Sequence, residues 1–401
     1  MSLFLTVVSV NEATAVIRSL AVKGGEEFVP LNEALHRVLA RDVRSDVDIP
    51  GFTRSVVDGY AVRAADTTGS GDAIPAILTF RGRIAMGTAV GAPIVSGDCI
   101  YIPTGGILPN GADAVVMIEN TEQIGGEVLI KKPVAPSENV LLSNEDFSRG
   151  EVVLTAGRKI SAQDTGVLAA AGCSEVPVVM RPKVGIISTG NELVPVTATP
   201  GMGQVRDVNS YVVGAFVQEQ GGLPVHYGIV RDDRDSLSTA IKRATSECNA
   251  VLVSGGSSKD DRDIVAAVIS ETGDVLVHGI AIAPGKPTII GKCSGKPVIG
   301  LPGHPASAFI ILVAIVRHLF TGMTGNTAAG IRTLPATLSQ NVPSSRGRED
   351  YIRVIVKNGV ATPLFGKSGL LNTLVKSSGF VRVPAGSEGL ETGTQVEVVL
   401  W

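Results

Sequence analysis

Hydrophobic positions change their period several times along the chain. Within residues 11–45, Val16, Ile17 and Leu20, and later Leu35, Val38 and Leu39, recur at the spacing of one helix face, which predicts a helical segment. From 46 to 143 the pattern becomes short β-branched runs cut by Gly and Pro, as in GDCIYIPTGG, ADAVVMIEN and GGEVLIKKP; this predicts a compact β domain. Residues 161–172, SAQDTGVLAAAG, return to helix with Asp164 near the start. Their composition matches the opening segment, so the β domain reads as an insertion between two halves of one helical unit, 1–45 and 144–180.

Residues 181–326 alternate strand and helix. KVGIIST, PVHYGIV, AVLVS and PVIGL read as buried strands, and SYVVGAFVQEQ, DSLSTAIKRATSEC and DIVAAVISETG as the helices between them. That alternation predicts βαβ crossovers and a doubly wound parallel sheet with helices on both faces. Ligands of such sheets sit beyond the carboxyl ends of the strands, where this chain places Gly190–Asn191–Glu192, Gly255–Gly256 and Pro302–Gly303–His304–Pro305. From about 327 to 401 short strands return, predicting a small C-terminal β barrel or sandwich.

Composition narrows the function classes. The 401 residues allow two to four domains at roughly 150 residues each. At 44% hydrophobic and 18% charged, the chain has ample core material and is not a disordered one. Its net charge of -3 argues against wholesale coating of nucleic acid or an acidic membrane. Cys99, Cys173, Cys248 and Cys293 have neither metal-ligand nor redox-motif spacing and read as reduced core thiols. The N-terminus lacks the marks of a signal peptide, and the apolar run Ala306–Val316 is short of the ~20 residues that span a bilayer. The expectation is a cytoplasmic protein.

Several turns could carry chemistry, each with an ordinary structural reading beside it. Asp58 follows a Pro50–Gly51 break in a turn before Gly59, and Thr104 is followed by Gly105–Gly106. Glu145–Asp146 is an acidic pair that a solvated loop would also carry. Ser254 to Ser258, directly after a strand, could wrap an oxyanion with backbone N–H groups and hydroxyls. Asp263 opens the next helix and could equally be its cap. Lys286 sits on the rigid Pro284–Gly285–Lys286–Pro287 turn, and His304 is presented at the sheet edge. No Walker A loop, post-strand GxGxxG, His-based zinc spacing or GxSxG elbow is present.

The order of these motifs resembles the molybdopterin molybdenumtransferase family, enzymes similar to the C-terminal domain of gephyrin. The resemblance rests on PGFTRSVVDGYA (50–61), PTGGILPNGADAVVMIE (103–119), NED (144–146), STGNEL (188–193), RDVNS (206–210), GIVRDDRDSL (228–237), SGGSSKDDRD (254–263), PGKP (284–287), GLPGHPAS (300–307) and RGREDYIRV (346–354). It runs through essentially the whole chain in one register.

The resemblance implies an elongated homodimer of four-part subunits, with the active site in a cleft between them. The implied reaction takes adenylylated molybdopterin, inserts molybdate or tungstate at its dithiolene sulfurs and hydrolyses the adenylate to AMP with Mg²⁺. It implies catalytic roles for Asp58, Thr104, Asp146, Glu192, Asp232 and Asp263, with Glu192 and Asp263 at the metal and Asp58 reaching in from the other subunit. Ser254, Gly255, Gly256, Ser257, Ser258 and Lys286 would hold the nucleotide-pterin, over a loop of Pro302, Gly303, His304 and Pro305. Arg348 would reach in from the C-terminal domain, with Ser368 at a family hydroxyl position. The chain departs from the family pattern at Leu141, Asn144, Lys259, Asp260, Gly279, Ala283 and His304; Leu141, Gly279 and Ala283 stand where the family has an Arg and two Lys and so remove positive charge from the anion site, which Lys259 would partly replace. A molybdopterin adenylyltransferase, whose kind would also be the delivery partner, is the competing enzyme reading, and a gephyrin-like scaffold the non-enzymatic one. The adenylyltransferase would need only about residues 180–325, and a scaffold would have no need of Asp58 and Asp263.

Overall fold

The computed structural model describes residues 7–88, 91, 93–255, 261–326, 330 and 332–401, with 261–263 as backbone alone. Its centre is a six-stranded sheet in the order Leu223–Val230, Lys183–Thr189, Ala250–Gly255, Lys296–Leu301, Ile289–Cys293, Gly273–His278. The first four strands run parallel. The last two are antiparallel additions that the expectation of a parallel sheet did not contain. Ser294 and Gly295, at φ 48° and 78°, form the two-residue turn that folds Ile289–Cys293 back on Lys296–Leu301. Two consecutive positive φ values are what a tight hairpin of this twist requires.

Helices cover both faces of this sheet, and alternate strand residues serve different layers. Val184, Ile186, Leu252 and Ile299 pack against Val213, Phe216 and Val217 of helix Asn209–Glu219 and against the helix that begins at Pro305. Ile187, Val251, Val253 and Val298 face Leu237 and Ile241 of Arg234–Glu247 and Ile269 of Asp261–Thr272. Burial on both faces is why these strands read as continuous apolar runs.

The expected apolar run Ala306–Val316 is part of a longer helical stretch. Pro305–Ile311 continues through a π turn, Leu312–Val316, into Arg317–Thr324 and stops at Gly325 in the left-handed region. These 20 residues are long and apolar enough to cross a membrane by length and composition, but 67% of the stretch is buried within the fold. Ile310, Ile311, Ile315, Leu319 and Phe320 belong to the main core.

The expectation of helix over 11–45 is corrected. Only Val10–Ser19 is α-helical, with a single 3-10 turn at Leu31–Glu33 beyond it; the α-helix is started by a Ser9–Glu12 capping box and buries Val10, Ala13 and Ile17 in the main α/β core. Beyond Gly24–Gly25 the chain enters strand Glu26–Pro30, which pairs antiparallel with Glu175–Val179, and Val43–Arg44 pairs with Val152–Leu154. The helical spacing of Leu35, Val38 and Leu39 is coincidental: His36 turns the chain at φ 65°, and Val38 and Leu39 make isolated bridges to Lys159 and Val178. Segments before and after the insertion do share one core, including Val29, Leu39, Leu154, Ile160, Leu168 and Val176. That unit is mostly β, with helix Ala162–Ala170 as its α component.

Between them lies a second six-stranded sheet, ordered Ala114–Met117, Gly59–Val62, Asp98–Ile102, Ala76–Arg83, Glu127–Ile130, Thr121–Ile124. At the C-terminus, Glu349–Lys357, Val360–Pro363, Thr333–Leu338, Gln395–Leu400 and Gly379–Val383 pair in turn, and the last returns to the first. That closes a five-stranded barrel. All four cysteines are free thiols; burial pushes Cys99 up to about 12.

Candidate active site

Three parallel strands end side by side, at Thr189, Gly255 and Leu301. The close approach depends on glycine: at Gly255, φ 142°, a Cβ would lie 1.8 Å from the Thr189 carbonyl oxygen. Beyond these ends is a cavity of about 670 Å³ lined by Glu192, Asp207, Asn209, Ser254, Gly303 and His304, among others. Glu192 is exposed on the turn after the first strand. Asp207 is buried just before helix Asn209–Glu219 and accepts from the Ser210 N–H in its first turn at 3.1 Å. Asn209 opens that helix and donates from Nδ2 to Ser254 Oγ at 2.7 Å and to the Gly303 carbonyl at 2.8 Å. The polar lining of this first cavity therefore combines hydroxyls, amides and two carboxylates with one cation, Arg206, beside apolar residues such as Leu193, Val205 and Leu371.

A second cavity, about 530 Å³, opens on the other side of the His304 loop. Its cations are Lys286, from the turn after strand Ile282–Ala283, and Arg346 and Arg348, from the loop entering the barrel. Among the described residues, no carboxylate lines it. Arg348 is held from behind: its Nε lies 2.9 Å from Oδ1 of buried Asp350, whose other oxygen accepts from Ser344 Oγ at 2.6 Å. His304 lines both cavities, and its Nδ1 is 2.9 Å from Ser368 Oγ of the barrel segment. The Ala306 N–H also donates to the Ser368 carbonyl at 3.1 Å, so two bonds tie that segment to the start of the core helix.

The residues expected from sequence divide into groups. Glu192, Ser254, Gly255, Gly303, His304 and Pro305 share the first cavity, and Lys286, Pro302, His304, Arg348 and Ser368 the second. Asp232 receives a hydrogen bond from Thr189 Oγ1 at 3.1 Å but lines neither cavity. Asp58 and Thr104 meet in the inserted domain, where Asp58 Oδ1 accepts from the Thr104 N–H at 2.8 Å. Asp146 is exposed, with its N–H bonded to the Ile49 carbonyl at 3.0 Å. None of these three lines either cavity. Gly256, Ser257, Ser258, Lys259 and Asp260, and the Asp263 side chain, lie outside the described residues.

Sequence reasoning assigned no role to Asp207, Asn209, Thr189 or Arg346, although all four stand in the quoted motifs STGNEL, RDVNS and RGREDYIRV. A helix-opening D-x-N after a strand crossover was the available signal for the first two. Among the described residues, no cluster of three or more His, Cys, Asp or Glu could hold a metal ion by itself.

Three family models match the chain in sequence: the MoeA N-terminal region (domain I and II) over 8–172, a probable molybdopterin binding domain over 185–321, and the MoeA C-terminal region (domain IV) over 335–401. The molybdopterin molybdenumtransferase of Bacillus subtilis is 31% identical over 98% of this chain and 94% of its own length. That of Staphylococcus aureus is 30% identical over 93% and 90%. A crystal structure of the molybdopterin biosynthesis MoeA protein from Pyrococcus horikoshii superposes with a TM-score of 0.89 at 33% identity, covering 99% of this chain and 100% of that one.

Proposed function

Because the chain belongs to the MoeA family, it is a transferase of molybdenum cofactor biosynthesis that inserts molybdenum into molybdopterin, and we propose that its two cavities divide that work. The first holds the phosphate-bearing pterin substrate, in adenylylated form. The second holds the oxyanion. The observation that carries this division is the contrast of charge across His304: on one side Glu192 and Asp207 with a single cation, Arg206, on the other Lys286, Arg346 and Arg348 with no carboxylate among the described residues. A doubly charged oxyanion needs positive, hydrogen-bond-donating walls, and a fixed Arg supplies both.

The donor set also fits Mg²⁺. This ion is commonly held by one or two carboxylates plus substrate phosphates, so a protein cage of three acids is not needed. Glu192 is exposed at the cavity wall, and it and Asp263 are the residues we assign to the ion. When bound, Mg²⁺ would neutralise charge developing on the pyrophosphate as it is hydrolysed. Ser254 and the Gly255 backbone would orient the phosphates, and the Arg348 guanidinium, braced by Asp350, would keep the oxyanion beside the pterin. Asp58 and Thr104 then act from the second subunit of a homodimer, which accounts for their lining neither cavity in their own chain. We further read the protein as cytoplasmic, supplied by a molybdopterin adenylyltransferase.

Anaerobic turnover of adenylylated molybdopterin with Mg²⁺, comparing molybdate, tungstate and no oxyanion, tests this reading. AMP release that depends on an oxyanion, with metal-loaded cofactor formed, is expected. Binding of the adenylate without turnover under either oxyanion would sink it and favour the scaffold.

A further inference from the structure

The amide that joins the two loops of the first cavity is spent in an unusual way. Asn209 is 7% exposed, and both hydrogen bonds it makes use Nδ2, one to Ser254 Oγ and one to the Gly303 carbonyl. A backbone carbonyl can only accept, so this pair fixes which way the amide faces. Its Oδ1 is buried and has no partner among the described residues. An asparagine kept only to satisfy the fold would be expected to use its oxygen as well, because buried polar atoms are nearly always paired.

We propose that Asn209 is a positioning residue that makes the floor of the first cavity a donor surface for an anionic substrate. By donating to Ser254 Oγ it occupies a lone pair of that hydroxyl and leaves its proton to be given elsewhere. Among the described residues nothing accepts that proton; the Ser188 hydroxyl, in register across the sheet, is itself buried and unpartnered. By donating to Gly303 it engages a carbonyl that would otherwise face the ligand as an acceptor. Both groups flanking the phosphate position are thereby turned from repelling an anion to binding one. The inference rests on the proposed reading of this cavity as the phosphate-bearing site.

Asn209→Leu has similar volume and no donor. It should raise KM for adenylylated molybdopterin about tenfold with kcat changed less than about twofold, since a ground-state donor is lost. Ser254→Ala should raise it by less, since the bond from Asn209 to Gly303 remains, and the double variant should add nothing beyond Asn209→Leu, because the hydroxyl's share of the effect depends on Asn209. Asn209→Gln, which keeps the N–H groups on a longer arm, should recover part of the loss. The dissociation constant of AMP, measured by calorimetry on the same proteins, should shift in parallel, and it reads Asn209 independently of turnover. Wild-type protein that fails to release AMP would reject the reading of the reaction. A variant with a lower Tm but unchanged KM and AMP affinity, or multiplicative effects of the two substitutions, would overturn the role of Asn209. If Asn209→Leu does not fold, Asn209→Ala, which also removes the donor without adding charge, takes its place in the same scheme.

Discussion

The two cavities differ although they share a wall. The first lies at the ends of three parallel strands, and its shape is backbone: Gly255 against the Thr189 carbonyl, and the Gly303 carbonyl held by Asn209. The second lies between the sheet and the barrel, and its character is side-chain charge supplied by Lys286, Arg346 and Arg348. A backbone-built site is set when the sheet forms. One made of long cationic side chains depends on what braces them, which is why buried Asp350 matters behind Arg348. If the cavities divide the substrates as proposed, recognition of the large substrate is fixed by topology, whereas anion choice can be tuned by single substitutions.

The sharpest way to break this comparison is Glu192→Ala. If Glu192 helps hold Mg²⁺ against the pyrophosphate as proposed, its removal should lower kcat by roughly 10³-fold, the scale on which loss of one preorganised charge-stabilising group is felt. Titrating Mg²⁺ against AMP release should show a weakened metal dependence, with the KM for molybdate unmoved. A variant with normal Mg²⁺ dependence would remove Glu192 from the metal.

Asp58→Ala should cost about 10²-fold by the same argument from lost electrostatic stabilisation. Mixing it with the Glu192→Ala protein decides where Asp58 acts. If its cleft belongs to the other subunit, mixed dimers regain one intact site and activity returns to about a quarter of wild type after statistical exchange, by the symmetry of a two-fold dimer. No recovery after demonstrated subunit exchange would put Asp58 and Glu192 in the same chain's site.

Arg348→Gln addresses the cationic side alone. Losing one charge-assisted contact should raise the molybdate KM by about tenfold and leave the pterin KM within about twofold. A shift in the pterin KM instead would mean that the two cavities are not divided as proposed.

Much of this architecture was legible because period and punctuation agree. The strand ends at Thr189, Gly255 and Leu301 each combine an apolar run with a Gly-rich turn, and the structure brings all three together. The segment 20–45 was not legible, because its strand Glu26–Pro30 buries one residue, Val29, and takes its partner from Glu175–Val179 far along the chain. The edge hairpin at Ser294–Gly295 hid for another reason: its strands pass as one apolar run, IIGKCSGKPVIGL, unless the Ser-Gly turn is given weight. Cationic character in the second cavity was half visible. Lys286, Arg346 and Arg348 all stand in the motifs, but Arg346 acquires significance only once barrel and sheet are seen to meet.

The smallest expected effect tests the shared wall. Ser368→Ala removes the hydroxyl within 2.9 Å of His304 Nδ1 but keeps the backbone bond from Ala306 to residue 368. One partly exposed side-chain hydrogen bond contributes about 0.5–1 kcal/mol, so Tm should fall by only a few degrees. Its effect on kinetics should be more telling than its effect on stability, because His304 lines both cavities and loses its only anchor to the barrel segment among the described residues. If the ring keeps the two substrates apart until both are bound, freeing it should raise oxyanion-independent AMP release about twofold to threefold while the KM values stay put. Equal AMP release with and without molybdate in wild type and variant alike would show that the wall does not couple the cavities. A change confined to molybdate KM would assign Ser368 to oxyanion binding instead.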